Sequence, residues 1–167
     1  IREFVPIRSI LTLVAVLSFA GAPYSVLLPV FASGILHGGP HTLGFLTAAA
    51  GFGALLSAVT LAVRRTIVGL GRMMKITSFT FGAGLIAFAL SNNVSVSLLL
   101  MFGCGFSMMQ SYSAGNTIMQ TVVAEGKRGR VMSFYTLAVI GMQPFGSLVS
   151  GMLADRIGAP MTVVIGG

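Results

Sequence analysis

The chain has 167 residues, is 55% hydrophobic and only 8% charged, and has a mean hydropathy of +0.96. Its formal net charge of +7 and pI near 10.9 come from scarce acids (Glu3, Glu125 and Asp155) rather than from abundant bases. A soluble domain is about one-quarter charged and a nucleic-acid binder needs a broad basic surface, so both classes are excluded and a membrane protein remains.

A spanning helix needs roughly 20 mainly apolar residues, and the apolar runs are of that length. They are continuous, whereas the strands of a membrane barrel are short and alternate in polarity, so the expectation is all-α. The first run extends from about Ile10 to Leu36 and is interrupted by Pro23 and Pro29. Near its middle, "GAPYS" combines a residue without a backbone N–H and an aromatic hydroxyl. Tyr24 there is a candidate for stacking on and orienting a substrate; a packing tyrosine is the alternative. The turn "HGGPH" follows. His37 and His41 have i,i+4 spacing, but Gly38, Gly39 and Pro40 oppose a helix and no third ligand is near, so no metal site is expected.

The second run covers about Leu43 to Val63, with Gly51, Gly53, Ala54 and Ala58 as small packing residues. The third, about Met73 to Leu90, is closed by "SNN". The fourth runs from about Val96 to Val123. In it Gln110, Ser113, Asn116, Thr117, Gln120 and Thr121 fall within an arc of about 140° at 100° per residue. Such an arc faces protein or water rather than lipid. It is either the polar wall of a cavity or a seam of interhelical hydrogen bonds. Cys104 in this run is a small packing residue.

The fifth run, about Val131 to Ala154, contains Gln143 beside Pro144, and Gly141, Gly146 and Gly151. Close packing and a hinge predict the same pattern there. Tyr135, near its start, reads as an interfacial anchor. A sixth run opens after "DRIGAP". With no Met at its start and an apolar run cut short at its end, the sequence reads as a piece of a longer chain.

Nine of the ten cations fall on one side of this series: Arg2, Arg8, Arg64, Arg65, Arg72, Lys75, Lys127, Arg128 and Arg130. The other side has Arg156 alone, next to Asp155. Lys and Arg mark the cytoplasmic side of short loops, so the loops around Arg64–Arg72 and Glu125–Arg130 are expected to be cytoplasmic. Glu125 can pair with Arg128, Arg130 or the neighbouring Arg-rich loop as a latch, or these are simply solvated charges. An internal repeat joins the runs: "FGALLSA" (Phe52 to Ala58) aligns without gaps with "FGSLVSG" (Phe145 to Gly151), three runs later. Three crossings reverse direction, giving inverted three-helix units of about 8–92 and 94–167.

The segments "PYSVLLPVFASGILHGGPHTLGFL", "RRTIVGLGR" and "NTIMQTVVAEGKRGRVMSFYTLAVIGMQPFGSLVSGMLADRIGAP" together resemble the C-terminal half of the major facilitator superfamily. The resemblance is to the efflux branch that includes the enterobactin exporter and macrolide efflux pumps. It implies five full spans plus the start of a sixth, and a missing N-terminal six-helix half of the same chain. It further implies a bacterial inner (plasma) membrane location and proton-coupled, alternating-access export of a siderophore, macrolide or other amphipathic small molecule. "RRTIVGLGR" departs from the superfamily's cytoplasmic loop in having no aspartate. The expected substrate residues are Tyr24, Gln110, Ser113, Asn116, Thr117 and Gln143. The expected cytoplasmic gate is Arg64, Arg65, Arg72, Glu125, Arg128 and Arg130. No cofactor, metal or nucleic acid is implied. No acid lies within an apolar run, so a proton carrier is expected in the missing half. An intramembrane enzyme would need a nucleophile–base or metal set, which is not found. A channel or structural subunit is the remaining alternative.

Overall fold

A computed structural model describes residues 4–63 and 69–167, and these form helices joined by short turns. Helix α1 is Phe4–Val30 and passes into a π-helical turn, Phe31–Ile35. Next come α2 (Pro40–Val63), α3 (Leu70–Ala89) and α4 (Val94–Val122). Helix α5 (Glu125–Thr136) continues through a second π segment, Leu137–Gly141, into α6 (Met142–Ile157), and α7 is Ala159–Gly166. Arg64 and Arg65 lie outside the described residues.

Local chemistry sets the helix ends. His37, at φ +49°, turns the chain in the left-handed region, and Pro40 then opens α2 where its missing N–H is harmless. Asn93 caps α4, its side chain accepting from Ser95 N at 2.9 Å and Val96 N at 3.4 Å. Gly69, at φ +83°, swings the chain into α3. The second π segment precedes Pro144, whose ring would press on the carbonyl four residues earlier and whose N–H is missing; widening the helix there relieves both.

Two expectations are corrected here. Glu125–Arg130 is not a loop but the opening of α5, and Arg72 lies inside α3. Glu, Lys and Arg are good helix formers, and only Val123 and Ala124 separate α4 from α5. Tyr135 is no interfacial anchor: it is 4% exposed, and its hydroxyl donates to the Tyr112 carbonyl. Among the described residues four helical stretches are long and apolar enough to cross a bilayer: Ile7–Ile35, Pro40–Val63, Val94–Val122 and Glu125–Ile157. Helix α3 is not one of them; it has 20 residues and carries Arg72 and Lys75 near its start.

Helix α4 is the axis of the assembly, packed along α2 on one side and α3 on another, while α1 packs along α6 and α7 joins α3 and α6. Lipid is as apolar as leucine, so these helices gain little from the hydrophobic effect and associate through close contact and hydrogen bonds. The tightest approach is between α2 and α4. A Cβ on Gly53 would stand 2.0 Å from the Phe102 carbonyl oxygen, and one on Gly105 would stand 2.0 Å from the Ala50 carbonyl oxygen. Around this crossing lie two apolar clusters, one centred on Phe31, Leu46, Phe81, Leu85, Phe88 and Met101, the other on Val14, Leu70, Met74, Met119 and Tyr135. Phe31 and Phe88 meet in the first with ring centroids 4.8 Å apart.

The repeated motifs sit in like surroundings. Gly53 and Gly146 are buried, as are Ser57 and Ser150, while Phe52 and Phe145 are 67% and 63% exposed. Because the clash at Gly53 is with backbone, Gly53→Leu should cost more than the about 1–3 kcal/mol of ordinary overpacking. Thermal unfolding of the full-length protein in detergent would show a large loss, whereas Gly44→Ala, in α2 with open space around it, should hold the melting temperature or raise it slightly, alanine being the better helix former.

Candidate functional site

Between α1, α2 and α4 lies a recess of about 290 Å³, lined by Tyr24, Thr47, Ala50, Gly51, Ala54, Gly105, Met108, Met109 and Tyr112. The same small residues that let α2 and α4 touch leave this space beside the contact. Thr47, Gly51 and Ala54 repeat at i, i+4 and i+7, as do Gly105, Met109 and Tyr112, so each set forms one stripe along its helix.

Tyr24 is held from two sides. Its ring meets Phe81 edge to face, with centroids 6.1 Å apart and planes at 76°, and its hydroxyl points at Met108 Sδ, 3.9 Å away. Tyr112 stands on the opposite wall. Its hydroxyl is 2.9 Å from Ser18 Oγ of α1, and Gln143 of α6 lies near it. One phenol thereby ties α4 to α1 and stands beside α6. The recess thus offers two aromatic hydroxyls and two thioethers against a floor of small side chains. Such a surface accepts a flat or flexible apolar body and directs a few polar groups on it.

The polar arc of α4 divides. Gln110 is 6% exposed and turned toward α2 and α3; its Oε1 accepts from Ser57 Oγ at 2.5 Å and from Thr60 Oγ1 at 3.5 Å, and its Nε2 lies 3.2 Å from Met73 Sδ. It does not line the recess. Thr117, nearly in line with it, returns its hydroxyl to the Ser113 carbonyl. Asn116 continues the Tyr112 stripe one turn onward and accepts from Gln120 Nε2. Ser113 is half-buried between the two faces. Every buried side-chain nitrogen and oxygen among the described residues has a partner. Of the expected substrate residues, then, Tyr24 lines the recess and Gln143 stands outside its lining, near Tyr112, while Gln110 braces the neighbouring helices.

Tyr112 itself was missed by sequence reasoning. The signal available was its place on the Gly105–Met109–Asn116 stripe, facing the span that carries Tyr24. At the expected gate, Arg72, Glu125, Arg128 and Arg130 are all exposed. Glu125 sits in the first turn of α5, where a carboxylate complements the helix dipole. Among the described residues no group of three His, Cys, Asp or Glu is placed to hold a metal ion.

A lined recess among helices long enough to span a bilayer suits an integral membrane protein, and comparison names a family of that kind. Over residues 2–167 the chain matches the transmembrane secretion effector family, and it belongs to that family, within the major facilitator superfamily. A curated relative, the staphyloferrin A transporter of Staphylococcus aureus, is 26% identical over 151 residues, covering 88% of this chain and 36% of its own length. The chain therefore spans little more than a third of that relative. No solved structure matches it.

The brace makes a separable prediction. Gln110→Ala strands the buried Ser57 hydroxyl and should destabilise the protein by about 1–3 kcal/mol. Pairing Gln110→Leu with Ser57→Ala removes both partners and should recover much of that loss; melting curves of the three proteins decide it.

Proposed function

We propose that this chain is the C-terminal half of a secondary transporter that exports an amphipathic small molecule by alternating access, and that the recess between Tyr24 and Tyr112 is part of its substrate path. The recess carries the reading: it is the place where aromatic hydroxyls, thioethers and free space meet beside the tightest helix crossing. Tyr24 stacks on the substrate. Asn116 and Gln143, with Ser113 and Thr117 beside them, supply polar contacts along the path, and Gln110 holds the wall. Family membership supports transport, and the relative's name favours a siderophore as substrate class over a macrolide or other drug.

The full transporter places two inverted three-helix units, about 8–92 and 94–167, opposite an N-terminal six-helix half. Two features support the inverted pairing. The burial of "FGALLSA" matches that of "FGSLVSG" position by position. One major packing also corresponds: exchanging α1 with α4 and α2 with α6 carries the α2–α4 contact onto that of α6 with α1. The partner half is expected on the exposed apolar faces of α2 (Phe45, Phe52, Leu55 and Val59) and of α5–α6 (Phe134, Ile140, Phe145 and Leu148).

In this reading the ends that carry Arg72 and Glu125–Arg130 face the cytoplasm of a bacterial inner membrane. Arg64, Arg65, Arg72, Glu125, Arg128 and Arg130 then form a weak latch, each exposed pair contributing about 0–1 kcal/mol. Protons drive the cycle through a carboxylate of the other half, since Glu125 and Asp155 lie at helix ends.

The test uses the full-length chain in energised membrane vesicles. Tyr24→Ala should raise the KM for the exported compound by roughly 2- to 10-fold, the worth of one aromatic contact, at unchanged expression. A protonophore should abolish transport. Flux that ignores the protonophore would instead mark a passive channel, and an unchanged KM would remove the recess from the path.

A further inference from the structure

A second concavity, of about 550 Å³, lies between α1, α3 and α4 and shares no residue with the recess. Ile10 and Leu13 of α1, Met74 of α3 and Ile118 of α4 form its apolar walls, and Lys75, Ser9 and Gly71 complete the lining. Lys75 lines its mouth, and exposed Arg8 and Arg72 are the chain neighbours of the lining residues Ser9 and Gly71. None of the described lining residues is acidic.

Lys75 is the sixth residue of α3, about 7–8 Å along the helix axis from its start. A lysine at that depth lays its stem on the apolar wall and carries its ammonium to the level of lipid headgroups. Lys75 with Arg8 and Arg72 near it makes this end of the groove positive, and a fixed anion there offsets the like charges. Helices α1 and α3 meet at Tyr24 and Phe81, which are not among the groove's lining residues, and both pack on α4. The groove is therefore an unfilled apolar slot between them with a cationic mouth, and its volume falls in the range of about 300–1,000 Å³ typical of ligand sites.

We propose that this groove binds an anionic diacyl phospholipid, with one acyl chain along Ile10, Leu13, Met74 and Ile118 and its phosphate on Lys75, aided by Arg8 and Arg72. Basic pockets between spanning helices hold anionic headgroups by this charge pairing. A zwitterionic lipid fits less well, because its own ammonium meets the same three cations. The bound chain completes the packing of α1 against α3.

The test is thermal unfolding of the full-length protein, delipidated in detergent, with added phosphatidylglycerol, phosphatidylcholine or sodium phosphate. Phosphatidylglycerol should raise the melting temperature, and the other two should not. Lys75→Glu should abolish the shift while leaving the lipid-free melting temperature unchanged. Leu13→Trp, which fills the slot without altering charge, should abolish it as well. An equal shift with phosphatidylcholine, a shift reproduced by phosphate alone, or a full response from Lys75→Glu would overturn the assignment. Should Lys75→Glu not be recoverable, native mass spectrometry of Lys75→Gln gives the same decision: loss of retained phosphatidylglycerol relative to wild type supports the site, and equal retention refutes it.

Discussion

The structure depends on one contact that has no side chain in it. At Gly53 and Gly105 the backbones of α2 and α4 meet so closely that a methyl group on either would overlap a carbonyl oxygen of the other helix. In a bilayer there is no water to expel between helices, and association rests on such surface contact. This crossing fixes the separation of α2 and α4, and with it the floor of the recess. It also sets how far Gln110 must reach to meet Ser57.

Around that crossing, α4 works as a polar hub. Three of its residues in a row reach toward different neighbours: Gln110 to Ser57 of α2, Ser111 to Thr77 of α3 at 2.7 Å, and Tyr112 to Ser18 of α1. Consecutive residues point about 100° apart on a helix, so three in a row address three directions. A polar group left without a partner at this depth is costly, which makes these bonds specifiers of arrangement more than sources of net stability. The recess and the packing core therefore share one helix and differ only in the face presented.

Much of this was legible in the sequence. Run length located the helices because a bilayer demands it, and "SNN" and "HGGPH" marked turns through capping and left-handed geometry. Tyr24 was singled out because an aromatic hydroxyl in mid-span suits a cavity as well as packing, and it lines the recess. The division of the α4 arc was not legible: periodicity gives the angle between Gln110 and Asn116 but not which neighbour stands at each angle. Tyr112 fell outside the arc, so the residue that links both walls of the recess went unmarked. Glu125–Arg130 was misread because charge was equated with loop, although those residues favour a helix once Ala124 has turned the chain.

The π segment at Leu137–Gly141 bears on how this chain tolerates length changes. A π turn holds one residue more than an α-helix would use over the same rise. Deleting a residue there would let α5 and α6 join as a plain α-helix, at little cost in backbone hydrogen bonds. What lies beyond it would keep its facing, because only the surplus residue of that turn is lost. Gly146 and Ser150 would stay buried, and Phe145 and Leu148 would stay exposed. The same deletion in a plain α stretch turns everything beyond it by about 100°, so the segment is a buffer that absorbs a change of length before it reaches the contact of α6 with α1.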